Sequence, residues 1–197
     1  GDNLPWEMHM MDDTYPSLEA GGFLYDISGN GRLDFVGGSD SSYGYLYWWE
    51  SPEDPTERWK RYQIATLPGT QSHDQLVADV DGDGRPELVA WCQSAHTLYV
   101  HNIPEDPRVS PWPLLAAVDV GHREEGLAFA DVDGDGEAEL IAGLSWYKFD
   151  SKGNCERHVY GTGFVTTRLA VGDLDNDGKV EIYVSEGDAS YHRPEVV

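Results

Sequence analysis

Three segments of this chain place carboxylates at every second residue of a short glycine-rich stretch: Asp79-Val-Asp-Gly-Asp-Gly-Arg-Pro-Glu87, Asp131-Val-Asp-Gly-Asp-Gly-Glu-Ala-Glu139 and Asp173-Leu-Asp-Asn-Asp-Gly-Lys-Val-Glu181. Acids at positions 1, 3, 5 and 9 with glycine at 6 suit a hard cation. Alternate side chains turn their oxygens inward, glycine permits the sharp bend, and a backbone carbonyl can complete the shell. Calcium accepts about six to eight oxygens in irregular cages and fits better than magnesium. The expected ligands are Asp79, Asp81, Asp83 and Glu87; Asp131, Asp133, Asp135 and Glu139; and Asp173, Asp175, Asp177 and Glu181. A fourth stretch, Asp26-Ile-Ser-Gly-Asn-Gly-Arg-Leu-Asp34, keeps the frame but carries Ser28 and Asn30 where the others carry Asp. It is either a weak site or a metal-free turn, so up to three or four structural ions are expected. An EF-hand is excluded, because its position 12 falls on Ala90, Ala142 and Val184 and the flanks read as strands. The simpler alternative is an Asx-type turn whose side chains satisfy their own backbone. Repulsion among four like charges in one loop favours a cation.

The rest of the composition is globular. The 197 residues carry a formal net charge of −23, and 15 of the 36 acidic side chains lie in these four loops, so much of the charge has a local cause. With 40% hydrophobic residues, seven Trp and eleven Tyr, the chain can build a sizeable core. The charge would repel phosphates and no basic stripe offsets it, so no nucleic-acid partner is expected. No apolar run approaches the roughly 20 residues of a membrane helix. Two cysteines, Cys92 and Cys155, are too few for a disulfide scaffold and could be paired or free. A secreted, extracellular or periplasmic location is expected.

Asp26, Asp79, Asp131 and Asp173 open the four loops at nearly regular intervals, an internal repeat. Each acid-rich loop lies between β-branched, aromatic and small-residue runs that read as strands: 75–79 and 88–92, 126–130 and 140–144, 169–172 and 182–185. Further runs at 45–49 and 59–64, 97–100 and 113–117, and 145–149 and 157–160 supply two more strands per unit. No window sustains a helical period. Four strands per unit of about 40–50 residues predicts an all-β β-propeller of four-stranded antiparallel blades. The whole chain, 1–197, is expected to be one domain of about four blades, either a complete ring or part of a seven- or eight-bladed one completed by self-association. The opening Trp6-Glu-Met-His-Met10 resembles the fourth strand of a blade that lacks its first three.

The Asp-x-Asp-x-Asp-Gly-x-x-Glu units between strands resemble FG-GAP/VCBS repeats, found in integrin-type and many microbial propellers. A narrower resemblance comes from Trp48-Trp-Glu-Ser-Pro52 followed by 59–64, and from Ser145-Trp-Tyr147 followed by Glu156-Arg-His-Val159. This pattern is similar to the secreted sugar-active propellers that include aldos-2-ulose dehydratase and the rhamnose–glucuronate lyases. That resemblance implies carbohydrate chemistry. Those propellers usually have seven blades, and this chain supplies about four.

In a propeller the innermost strands begin together at one face of the central channel. Here their starts hold Ser17 and Glu19; His73, Asp74 and Gln75; His122, Arg123, Glu124 and Glu125; and Thr166, Thr167 and Arg168. Convergence of such residues makes a pocket. Arg123 and Arg168 would clamp a carboxylate and stabilise an enediolate, with His73 or His122 as the proton-abstracting base. Glu19, Asp74, Gln75 and Glu124 would orient the base or bind substrate. Alternatively His73, His122 and an acid would hold a metal, or the set is solvated channel lining. The favoured expectation is a carbon–oxygen lyase or dehydratase acting by β-elimination on an acidic or oxidised saccharide. The alternative is a non-catalytic calcium-binding propeller that binds a glycan or a protein. Trp48, Trp49, Trp146 and Tyr147 fit core packing better than sugar stacking.

Overall fold

The computed structural model describes residues 7–14, 18, 21–40, 43–164 and 166–187. Among the described residues the chain is all-β apart from one 3₁₀ turn at Gln93–Ala95. The first sheet comprises β1 (Phe23–Tyr25), β2 (Asp34–Gly38), β3 (Tyr45–Glu50) and β4 (Lys60–Thr66). The second comprises β5 (Ser72–Ala78), β6 (Glu87–Cys92), β7 (Thr97–Asn102) and β8 (Leu114–Asp119). The third comprises β9 (Leu127–Ala130), β10 (Glu139–Ala142), β11 (Ser145–Phe149) and β12 (Cys155–Val159). All three are antiparallel meanders in chain order, and β13 (Thr167–Gly172) pairs with β14 (Glu181–Glu186) as the start of a fourth. Each acidic segment is the hairpin loop between the first and second strands of its sheet. This is a propeller-like array of blades, not closed into a ring among the described residues.

Two-residue alternation explains how the sheets stack. Every residue of β6 is buried. Leu88, Ala90 and Cys92 face the first sheet, packing with Val36, Leu46, Trp48 and Ile64. Val89 and Trp91 face the third, packing with Leu140, Ala142 and Tyr147. The middle blade therefore reads as a continuous apolar run, because both of its faces are covered. The inner strands adjoin in sequence, β5 lying against β1, β2 and β9, and β9 against β13. Among the described residues no helix is long and apolar enough to cross a membrane.

Trp48, Trp49 and Tyr147 are fully buried, as expected of core residues. Trp146 instead stacks on His158 at a centroid distance of 3.7 Å. Cys92 and Cys155 are free thiols. The opening segment departs from expectation: residues 7–10 are irregular and exposed. Its carbonyls take partners outside any ladder: Met10 accepts an Arg58 N–H at 2.9 Å and Met11 the Trp59 N–H at 3.0 Å. The segment docks also through Asp12, whose Oδ2 accepts the Trp49 indole N–H at 2.9 Å and an Arg61 N–H at 3.1 Å.

The first two sheets meet where Gly38 leaves no room for a side chain. A Cβ there would lie 2.2 Å from the Ser72 carbonyl oxygen and 2.3 Å from Ser72 Cβ. Beside it the Ser72 N–H donates to the Ser39 carbonyl at 3.0 Å. Gly38→Ala is expected to force the sheets apart at a cost of about 1–3 kcal/mol, read as a lowered Tm with the β-sheet circular dichroism retained.

Candidate functional site

All four hairpin loops share one hydrogen-bonding frame. The position-1 carboxylate accepts the N–H of the position-6 glycine: Asp26 from Gly31 at 2.7 Å, Asp79 from Gly84 at 2.9 Å, Asp131 from Gly136 at 2.9 Å and Asp173 from Gly178 at 3.0 Å. The position-5 side chain accepts the N–H two residues on, at 2.8–2.9 Å in every loop. Positions 4 and 6 are left-handed, as at Gly82 and Gly84, a conformation that glycine adopts without a steric penalty. The Asx-turn reading is therefore correct for the backbone: Asp26, Asp131 and Asp173 engage both oxygens in it, whereas Asp79, Asp83, Asp135 and Asp177 engage one.

The position-9 acid opens the second strand of its sheet and reaches back into the loop. Glu87, Glu139 and Glu181 accept the N–H of Val80, Val132 and Leu174 at 3.1, 2.9 and 2.8 Å. Carboxylate oxygens of Asp79, Asp81 and Glu87, of Asp131, Asp133 and Glu139, and of Asp173, Asp175 and Glu181 each converge within 4.8 Å. The position-5 residues Asp83, Asp135 and Asp177, expected as ligands, lie outside these tight groups. Their Oδ1 oxygens accept the N–H groups at position 7, and Asp135 Oδ2 meets the Lys148 ammonium.

The loops differ in how their charge is met. In the second, Glu87 is 1% exposed and Asp79 Oδ1 is buried without a hydrogen-bond partner. Burial, then the neighbouring Asp81, Asp83 and Asp79 charges, push the Glu87 carboxyl up to about 7. Asp81 is likewise raised, by burial and by Asp83, Asp79 and Asp150 just beyond β11. An orphaned buried oxygen among crowded carboxylates fits a divalent cation held by Asp79, Asp81 and Glu87. In the third loop the Lys148 ammonium instead holds Asp135 below the usual carboxylate range. In the first, Asp34 is fully buried and accepts the Ser28 and Ser51 N–H groups, both at 2.8 Å, a complete turn without further charge.

The polar residues at the inner-strand starts also come together, though in two groups. His73 Nδ1 lies 3.6 Å from Asp74 and 3.8 Å from Glu125, and all three could reach one ion. Arg168 contacts Glu125 closely, as does the Gln93 amide. Arg123 donates to Gln71 and Gln93 at 3.0 and 2.9 Å. Asp74 sits at a bulge in β5, in the left-handed region that side chains rarely adopt. Its Oδ2 accepts the Gly126 N–H of the third blade at 2.7 Å. Burial raises its carboxyl, but hydrogen bonds from His73 and Gly126 outweigh this and hold it low. Thr167 on β13 donates to the Glu125 carbonyl at 2.5 Å. The cluster thus joins the second, third and fourth sheets, with Asp74 and Glu125 facing Arg168 while Arg123 is held by the Gln71 and Gln93 amides.

His122 and Glu124 form the second group. His122 Nε2 lies 2.5 Å from Glu124, whose other oxygen accepts the Leu144 N–H of the β10–β11 hairpin at 3.3 Å. Adjacent residues Glu124 and Glu125 thus serve different partners. Gln75 is buried and donates to its own strand at the Ser72 carbonyl, 2.8 Å away. Ser17 and Glu19 lie outside the described residues. Glu125 is expected at an inner-strand start but without a role, and Gln93 is not expected at all; the pairing of Gln93 with Glu125 across sheets brings it into the group.

Glu87 has a definite pH signature. A carboxyl raised on folding stabilises the protein below its unfolded value near 4.5, and that contribution is lost as pH rises through about 7. In chelator, Tm is expected to fall between about pH 5 and pH 8. Glu87→Gln should flatten that fall and regain roughly 3 kcal/mol at pH 8. Thermal denaturation of both proteins across the range checks this.

The comparisons with known proteins agree with the repeats. The FG-GAP-like repeat matches residues 26–90 and 79–142. Among solved structures, the crystal structure of the V. cholerae biofilm matrix protein Bap1 is similar at 23% identity and a TM-score of 0.54, over 83% of this chain and 23% of that one. The likeness shows the fold, and the chain spans about a quarter of that protein's length. No curated protein matches. Loop frame, strand order and repeat match coincide over 26–142, and the chain belongs to the FG-GAP-like repeat family.

Proposed function

We propose that residues 1–197 are one cation-stiffened, propeller-type binding module of an extracellular protein, with no catalysis of their own. The observation that carries this reading is the second loop, where a buried Glu87 and an unpartnered Asp79 oxygen crowd Asp81 with no basic side chain paired to them among the described residues. Calcium held by Asp79, Asp81 and Glu87, and by Asp173, Asp175 and Glu181, relieves that repulsion and locks the β5–β6 and β13–β14 hairpins. The stiffened sheets then present a surface to a saccharide or protein of the extracellular matrix. Family membership and the fold shared with a biofilm matrix protein support this location and role.

Elimination chemistry on a uronic acid is the second reading, favoured by the meeting of His73, Asp74, Glu125, Arg123 and Arg168. Against it stands the burial of His73 and Glu125 and the engagement of both arginines in joining sheets. Calcium at about 100 times its dissociation constant should stabilise the chain by about 2.7 kcal/mol per site, and Asp81→Asn should remove one such increment. Saccharide and protein arrays in calcium are expected to show binding that chelator abolishes. Release of an unsaturated product from uronate oligosaccharides, lost in His73→Ala, would replace this reading with the lyase.

A further inference from the structure

The third acidic loop carries a cation of its own. The Lys148 ammonium lies 2.8 Å from Asp133 Oδ2, 2.5 Å from Asp135 Oδ2 and 3.4 Å from Glu139 Oε1. Asp133 and Glu139 belong to the converging group that includes Asp131. The ammonium therefore stands at the mouth of the place where an ion would bind. Strand register puts it there: Leu140 pairs with Tyr147, so the next residue of β11 falls opposite Glu139 at the loop end of the hairpin. In the second sheet the residue opposite Glu87 is Asn102, which is neutral. Among the described residues no lysine or arginine side chain is paired with the acids of the second or fourth loop.

We infer that Lys148 Nζ takes the cation position of the third repeat, so that this loop is neutralised without metal while the second and fourth require an ion. An ammonium supplies three N–H donors, and here it bonds Asp133 and Asp135 and pairs with Glu139. A calcium ion entering this loop has to break those charge-assisted contacts and move the side chain, which weakens its apparent affinity. The loop richest in acidic residues is thus the one that does not need calcium. The inference rests on the calcium reading of the loops proposed above.

Bound calcium per chain, measured by atomic emission after equilibrium dialysis, tests it in wild type, Lys148→Met and Lys148→Gln. Wild type is expected to plateau at two ions over a concentration range in which both variants reach three, with the added site at least tenfold tighter than any third site in wild type. In chelator the variants should melt several degrees below wild type, and calcium should close the gap. Three ions of equal affinity in wild type and variants, or two in all of them, overturn the inference and leave the calcium reading standing. No bound calcium in any of the proteins overturns both.

Discussion

Carboxylate repulsion at the mouth of each hairpin is the constraint around which these blades are organised. The position-9 acid is both the first residue of the second strand and an acceptor for the loop backbone, so it cannot swing away to water. Glu87, Glu139 and Asp34 are all buried in this way. The loop acids at positions 1 and 3 then have to sit beside it. Three solutions occur in one chain. The first repeat substitutes Ser28 and Asn30 for acids, the third inserts Lys148, and the second and fourth leave a place that a divalent ion would fill.

The same arrangement couples the loops to the core. Behind each position-9 acid runs the second strand, and in the middle blade that strand, β6, packs on both neighbours. A loop forced open by its own charge would pull on the strand that carries Leu88 to Cys92. Loop electrostatics and blade stacking are in this sense one problem. The inter-sheet contacts leave little slack, because β2 meets β5 backbone to backbone at Gly38, and within the third sheet the Gly143 turn lies directly on the Glu124 carboxylate.

The polar residues at the inner-strand starts make a different kind of joint. Asp74 holds a left-handed bulge and bonds the next blade through Gly126, while Glu125 gathers Gln93, Arg168 and Thr167. Residue types suited to proton abstraction and carboxylate binding here satisfy one another across three sheets. Their meeting was legible from the repeat, which places every inner-strand start at the same end. Their partnering was not, since Glu124 and Glu125 are neighbours in sequence yet face different blades, and neither periodicity nor spacing distinguishes them.

By itself the sequence determined the repeat, the strand order and the loop acids, because each depends on short-range chemistry: alternation along a strand, glycine at left-handed positions, carboxylates at every second residue. Tertiary structure decided which charges are matched. Lys148 follows Glu139 on the far side of a hairpin and reads as an ordinary surface lysine until β11 folds back on β10. The irregular opening segment has the same origin, since residues 7–10 have strand-like composition but join no ladder among the described residues. Electrostatic neutralisation and hydrogen-bond pairing act through space at a few ångströms, and only the folded register determines which side chains come that close.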